Sequence, residues 1–202
     1  MNRLINYPCR LPLIGLAGPA RSGKNTTADI LCRHWLAVQY AFALPLKAML
    51  QAGFGLNDVD LDGWRKEEPN PLLGGKSPRQ LLQTLGTEWG RQLVDPDIWV
   101  TQTRRWCQAF HDDDPDAAII LTDVRFQNEA DFIRSNGGLI VHLRRSDCQP
   151  VSQHRSENGV DYLEGTDFLI HNNGTLDDLT GQVLELGEFI AGQTKGGFLR
   201  AS

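Results

Sequence analysis

Apolar positions along the chain fall into two kinds of block: short unbroken runs that read as buried strands, and stretches with apolar residues at helical spacing. Leu11 to Ala17 is the first run, and beyond the segment Gly18 to Lys24 the positions Ala28, Leu31, Trp35 and Leu36 recur at helical intervals. The opening therefore reads strand, loop, helix. Tyr40 to Ala43 predicts a second short strand, and Pro45 opens a helix through Phe54 that stops at the Gly53 and Gly55 region. Gly55 to Gly75 then turns polar, with Asp58, Asp60, Asp62, Glu67, Glu68, Pro69 and Pro71, and is predicted as one long loop. Loops of that length are uncommon in compact domains and tend to carry function.

Ser77-Pro78-Arg79-Gln80 predicts a helix start: Ser77 accepts from a free amide, Pro78 fits the first turn and Gln80 completes a capping box. That helix turns Leu81, Leu82 and Leu85 inward. Asp97 is predicted to cap the next one, which carries Ile98, Val100, Trp106 and Phe110 and ends at the acidic stretch Asp112 to Asp116, a solvated turn rather than a metal site. Ala117 to Thr122 reads as a buried strand delivering Asp123. A helix from Gln127 to Ser135, a stop at Gly137-Gly138 and a strand from Leu139 to Leu143 follow. Arg144 to Thr166 is irregular, Phe168 to His171 predicts a last strand, Asn172-Asn173-Gly174 a turn, and Thr175 the cap of a final helix through Ile190. The tail from Gly192 is expected to fray. Strands alternating with helices predict an α/β fold, a parallel sheet with helices on both faces.

Composition narrows the class. The 202 residues are 41% hydrophobic and 22% charged, which suits one globular domain over residues 1–202 and is too apolar for a disordered chain. A net charge of −5 supplies no basic field for coating a duplex, so nucleic-acid binding is not expected. No apolar run approaches the roughly 20 residues that span a bilayer, and no signal-peptide core follows Met1, so a cytoplasmic protein without membrane contact is expected. Cys9, Cys32, Cys107 and Cys148 are irregularly spaced, without a C-x-x-C pair, and are read as reduced thiols.

Gly18-x-x-x-x-Gly23-Lys24 has the spacing of a phosphate-binding loop. Glycines let successive amides turn toward a phosphate, the following helix adds its positive end, and Lys24 reaches the terminal phosphates. The loop lies between a buried strand and an amphipathic helix, where this chemistry requires it. Asn25 stands where a hydroxyl residue usually holds Mg²⁺, and the hydroxyl of Thr26 comes one residue later. Asn25 is then either a partner of the loop or acceptor, or an ordinary first-turn residue. Asp123 is delivered to the carboxyl end of the sheet, where α/β proteins bind ligands and where an acidic residue can hold Mg²⁺ through water. Arg125 adds a guanidinium two residues on, and Glu129, one helical turn further, is expected to orient it.

These blocks together resemble the bacteriophage deoxynucleoside monophosphate kinases, of the adenylate-kinase-like phosphate-loop fold. The resemblance covers most of the chain. It rests on Arg21-Ser22-Gly23-Lys24-Asn25-Thr26-Thr27-Ala28-Asp29, Ala43-Leu44-Pro45-Leu46-Lys47, Leu82-Gln83-Thr84-Leu85-Gly86-Thr87-Glu88 and Ile98-Trp99-Val100, and continues through Thr122 to Ala130 and His154-Arg155-Ser156-Glu157-Asn158-Gly159. It implies ATP at Gly18, Arg21, Ser22, Gly23, Lys24, Asn25 and Thr26. An acceptor deoxynucleoside monophosphate would meet Lys47, Arg79, Gln83, Gly86, Thr87, Trp99, Arg125 and Glu129 in a region spanning about residues 40–100. Lys24, Asp123 and Arg125 would be catalytic, with Mg²⁺ at Thr26 and Asp123. Asn25 departs from the aspartate frequent in that family, and Leu44 stands where some members carry a polar residue.

Taken alone, Trp99 is equally a core residue, Gln83 a solvent-facing one, Gly86 a helix terminator, and Lys47, Arg79 and Arg91 solvated charges. Arg144, Arg145 and Arg155 flank the irregular stretch 144–166 and read either as a lid over ATP or as an exposed basic loop. His154, Ser156 and Glu157 lack a nucleophile turn and are not a hydrolytic triad. The expected reaction moves the γ-phosphate of ATP to a deoxynucleoside 5′-monophosphate. Dephospho-coenzyme A kinase and other small-metabolite kinases share the loop. A nucleotide-binding regulatory module is the alternative of another class, weakened by the absence of the guanine-reading Asn-Lys-x-Asp motif. A homodimer is compatible with the sequence but not required by it.

Overall fold

The structure, a computed structural model, describes residues 13–148 and 159–193. Cys9, His154, Arg155, Ser156, Glu157 and the tail beyond residue 193 lie outside them. Five strands form one sheet: β1 Leu13–Ala17, β2 Ala37–Tyr40, β3 Ala118–Val124, β4 Leu139–Arg144 and β5 Phe168–His171, in the order β2-β3-β1-β4-β5. Every neighbouring pair is parallel, as the alternation of strands and helices predicts.

Successive side chains of a strand point to opposite faces, and the central strands divide their residues accordingly. Ile14 and Leu16 of β1, Ile120 of β3 and Val141 and Leu143 of β4 join Ala28 and Leu31 of helix α1 (Lys24–His34) and Leu179, Val183 and Leu186 of α7 (Leu176–Gln193). On the other face Leu13, Ile119, Leu121 and Ile140 pack against Val100 and Cys107 of α5 (Ile98–Asp113) and Ala130, Phe132 and Ile133 of α6 (Gln127–Ser135). The central strands are buried on both sides, which is why they read as continuous apolar runs rather than alternating ones.

A third, smaller cluster lies outside the sheet. Leu50, Leu56 and Leu61, with Leu73, Leu81, Leu82 and Leu85 against them, hold together α2 (Leu44–Phe54), α3 (Asp58–Leu61) and α4 (Pro78–Gln83). The stretch predicted as one long loop is thus corrected: it contains α3, capped reciprocally by Asn57 and Asp60, and two single 3₁₀ turns at Trp64–Glu67 and Pro71–Leu73. Its polar composition hid the leucines that anchor it. The second strand also shifts. Trp35 and Leu36, which continue the helical spacing, lie outside α1, and the strand runs Ala37–Tyr40 rather than Tyr40 to Ala43.

At Ser77 the predicted capping box is present: the hydroxyl accepts from the Gln80 amide at 3.3 Å, and Gln80 Oε1 accepts from the Ser77 amide at 3.0 Å. Gly86 does not terminate this helix. The chain continues from α4 into eleven residues of wider, π-helical turn, Thr84–Val94, closed by the Asp95 amide donating to the Gly90 carbonyl five residues back. Asp97 stands at the start of α5, but its carboxylate does not cap it; Asp97 Oδ1 accepts from Asn128 Nδ2 at 2.7 Å. At α7 the predicted cap holds, with Thr175 Oγ1 accepting from the Asp178 amide at 3.2 Å. Cys32, Cys107 and Cys148 are free thiols, and burial pushes Cys107 up to about 12, leaving it chemically quiet. Among the described residues no helix is long and apolar enough to cross a membrane.

Candidate active site

The site is assembled at the carboxyl ends of β1, β3 and β4. Between β1 and α1 the backbone enters the left-handed region at Gly18 (φ 145°), Arg21 (φ 64°) and Gly23 (φ 104°). A Cβ on Gly18 would lie 2.5 Å from the Leu143 carbonyl oxygen, and one on Gly23 would lie 2.4 Å from Asn172 Nδ2. Both positions therefore require glycine for space as well as for conformation. Arg21 adopts a positive φ without that freedom, the kind of local strain that accumulates where a loop is shaped for a ligand. Helix α1 begins with no side-chain cap, so its first-turn amides face the loop, ready for an anion.

Lys24 Nζ donates to the carbonyls of Gly18 and Pro19, each at 2.7 Å, and lies folded over the loop it belongs to. Gly18 and Ser22 shape this loop without lining a cleft. The Ser22 side chain is fully buried, and the Ser22 carbonyl accepts from Asn172 Nδ2 at 2.9 Å. Asn172 ties the turn after β5 to the phosphate loop across 150 residues of sequence, which is why nothing local marks it.

Two clefts meet here. The smaller, about 470 Å³, is lined by Arg21, Gly23, Lys24, Asn25, Thr26 and Arg145, with Asn172 and Gly174 to Leu176 opposite. The larger, about 620 Å³, opens on the other side of Lys24 and shares Arg21, Lys24 and Asn25 with the first. Its walls hold all eight residues expected to meet the acceptor: Lys47, Arg79, Gln83, Gly86, Thr87, Trp99, Arg125 and Glu129, together with Asp123. Tyr40, Phe42, Leu46, Leu82 and Phe126 add an apolar surface, and Lys66 and Arg91 add cations that sequence motifs did not single out. Of the three arginines considered for a lid, Arg145 lines the smaller cleft, Arg144 lines neither, and Arg155 lies outside the described residues.

Asp123 owes its place to a bulge. Gly15 pairs with Leu121 and Ala17 with Val124, so β3 spends three residues where β1 spends two, and Thr122 and Asp123 are lifted from the regular ladder. The Asp123 carboxylate accepts from the amides of Phe42 at 2.7 Å and Ala43 at 3.0 Å, fastening the β2–α2 connection along the larger cleft. Each oxygen keeps acceptor capacity for a water or cation.

Glu129 binds the backbone of Arg125 and the guanidinium of Arg91. Its side chain is 2% exposed; Oε2 accepts from the backbone amides of Arg125 at 2.7 Å and Phe126 at 3.0 Å, and Oε1 accepts from Arg91 Nη2 at 2.5 Å. Arg91 in turn lies with its guanidinium carbon 4.0 Å from the centre of the Phe126 ring. Burial pushes Glu129 up to about 7 against the opposing pull of Arg91 and the two amides. Trp99 is both core and cleft wall: 3% exposed, its Nε1 donates to the Gly86 carbonyl at 2.7 Å, and a Cβ on Gly90 would come within 2.5 Å of its ring. The wide turns around Gly86 and Gly90 thus seat the indole.

A phosphate loop at the head of a parallel sheet, with a nucleotide-sized cleft on each side of its lysine, defines a phosphate-loop nucleotide-binding protein of the α/β class. The family model for deoxynucleotide monophosphate kinases matches residues 12–68 and 75–183, and the chain belongs to that family. A putative deoxynucleotide monophosphate kinase of Acanthamoeba polyphaga mimivirus is 33% identical over 181 residues, 85% of this chain and 94% of its own. The deoxynucleoside-5′-monophosphate kinase of Escherichia phage T5 is 36% identical over 114 residues, 53% of this chain and 44% of the phage protein. The deoxynucleotide monophosphate kinase of Escherichia phage RB69 is 28% identical and covers 86% of this chain and 98% of its own.

Proposed function

We propose that the smaller cleft takes ATP, the larger a deoxynucleoside 5′-monophosphate, and that the γ-phosphoryl group passes between them at Lys24. The observation that carries this reading is the junction itself: Arg21, Lys24 and Asn25 belong to both clefts. An acceptor phosphate in the larger cleft and a terminal phosphate on the loop meet there, and such alignment supplies most of the catalysis in phosphoryl transfer.

In the reaction an oxygen of the acceptor phosphate attacks the γ-phosphorus in line, the bond to the bridging oxygen breaks, and ADP and a deoxynucleoside diphosphate leave. The acceptor phosphate is already ionised near neutral pH, so no general base is required. Lys24 leaves the Gly18 and Pro19 carbonyls to meet the charge that develops on the transferred group. Arg125 approaches from the end of β3, where its planar fork bridges phosphate oxygens. Lys47 and Arg79 complete the acceptor's cationic surroundings, while Trp99, with Gln83, Gly86 and Thr87, shapes the pocket for its base and sugar.

Mg²⁺ suits this donor set: a hydroxyl at Thr26 in the first turn of α1, an Asp123 carboxylate with lone pairs to spare, and phosphate oxygens from the substrate. Thr26 would hold it directly and Asp123 through water, and its charge would lower repulsion between the two anionic reactants. Arg145 lines the ATP side, where its guanidinium can meet the donor phosphates. We place the reaction in the cytoplasm, the host's if the protein is phage-encoded, with catalysis in a single domain.

Family membership favours this acceptor class over dephospho-coenzyme A, other small metabolites or a regulatory role. A panel of acceptors assayed by ADP release tests it: release should depend on a deoxynucleoside monophosphate. Equal release with dephospho-coenzyme A, or slow release indifferent to any acceptor, would overturn it.

A further inference from the structure

We propose that Lys66 binds the acceptor's 5′-phosphate directly, together with Lys47, Arg79 and Arg125 in the larger cleft. The inference rests on the reading of that cleft as the monophosphate site. No motif marks Lys66. It lies in the first of the two 3₁₀ turns, inside the stretch whose polar composition reads as loop.

The ion pairs around it are unequally shared. Lys47 holds both oxygens of Asp62, at 2.6 and 2.8 Å, and Arg79 Nη1 holds Glu67 Oε1 at 2.7 Å. Lys66 reaches Asp62 only at 3.9 Å, on the oxygen nearer to Lys47, with its own side chain 28% exposed. Asp62 favours the Lys66 charge; Lys47 on α2, Arg79 on α4 and Arg125 after β3 oppose it. Burial is the largest influence, and the balance holds the ammonium below the usual lysine range. A partly desolvated cation among three others, sharing one carboxylate at long range, is poorly satisfied by the protein alone. A phosphomonoester brings nearly two negative charges and several strong acceptor oxygens, which two ammonium and two guanidinium groups can divide among them. A carboxylate offers half that charge, so the arrangement selects phosphate.

The test compares Lys66→Met and Lys66→Arg with the wild-type protein, by steady-state kinetics and by calorimetric binding of a deoxynucleoside monophosphate. Losing one charge-assisted bond predicts a rise of about ten- to a hundredfold in acceptor KM and Kd for Lys66→Met, with the KM for ATP unchanged. Lys66→Arg restores most of the affinity. Wild-type affinity for the acceptor should also weaken as pH rises and Lys66 deprotonates below the usual lysine range, whereas Lys66→Arg should respond less. An unchanged acceptor KM in Lys66→Met, while the wild-type protein phosphorylates deoxynucleoside monophosphates, overturns the role of Lys66 alone. Equal losses toward ATP and acceptor that Lys66→Arg does not rescue overturn it too, as a structural effect. A wild-type protein that phosphorylates no monophosphate overturns the underlying reading as well.

Discussion

Lys24 Nζ bonds the Gly18 and Pro19 carbonyls and lines both clefts, so removing it deprives the reacting phosphates of a charge. Lys24→Met should lower kcat by about a hundredfold or more, which steady-state kinetics check. Arg125→Lys keeps the charge and loses the fork, and should likewise fall in kcat. Glu129 bears on stability. Glu129→Gln leaves the amides of Arg125 and Phe126 or the Arg91 guanidinium without a full acceptor and should cost about 1–3 kcal/mol of stability, read as a fall in urea midpoint. The sequence marks Glu129 as important but does not reveal Arg91 as its partner, because helical spacing points to Arg125 whereas Arg91 lies 38 residues away on another element. Lys24, with its glycines, was legible because its chemistry is confined to seven consecutive residues. Lys66, whose surroundings come from three elements, was not.

Elements were legible where their ends carry their own chemistry. Ser77 and Gln80 announce α4, and α6 begins and ends at the predicted residues because Gly137 and Gly138 stop it. Boundaries failed where apolar spacing continues past the last turn, as at Trp35 and Leu36, and where hydrogen-bond register rather than side-chain pattern changes, as in the π-helical run over Thr84–Val94. That run was unreadable because a glycine inside a helix and one that ends it look alike in sequence; only the indole of Trp99 packed on Gly90 distinguishes them. Coupling between elements is equally hidden. Asn172→Ala removes the bond that fixes the turn after β5 to Ser22 and should cost about 1–3 kcal/mol. Because the turn lines only the smaller cleft, the KM for ATP should rise more than that for the monophosphate. Equal shifts in both would mean that the bond stabilises the fold without tuning the cleft.

At the scale of the molecule, a buried polar node joins α6, β4 and the approach to β5. Asp167 accepts from Arg134 Nε at 3.1 Å and from the Leu163 amide at 2.9 Å, and lies 3.0 Å from His142 Nε2. Burial lowers His142, outweighing the attraction of Asp167, while Arg134 and Arg144 lower it further. Burial also works to raise Asp167, but its hydrogen bonds prevail and hold it below the ordinary carboxylate range. Both shifts act in one direction. Below about pH 6.5 the unfolded chain takes up a proton that folded His142 resists, and near pH 4 and below Asp167 adds the same preference, so acidification favours unfolding. Glu129, raised to about 7 by burial, takes up its proton more readily in the folded chain and works the other way over the same range. The His142 share is therefore read by comparison: His142→Asn should raise the urea midpoint at about pH 5.5 relative to that at about pH 7.5, compared with the wild-type protein, and an unchanged pH response would exclude His142 as a contributor.

The two clefts joined at Lys24 give the molecule its central claim, a direct passage of phosphate from ATP to a bound monophosphate. Incubation with γ-³²P-labelled ATP and a deoxynucleoside monophosphate measures it most directly. The label should appear in the β-phosphate of the deoxynucleoside diphosphate, in step with ADP formed. Label released as inorganic phosphate, with the monophosphate unchanged, would contradict it.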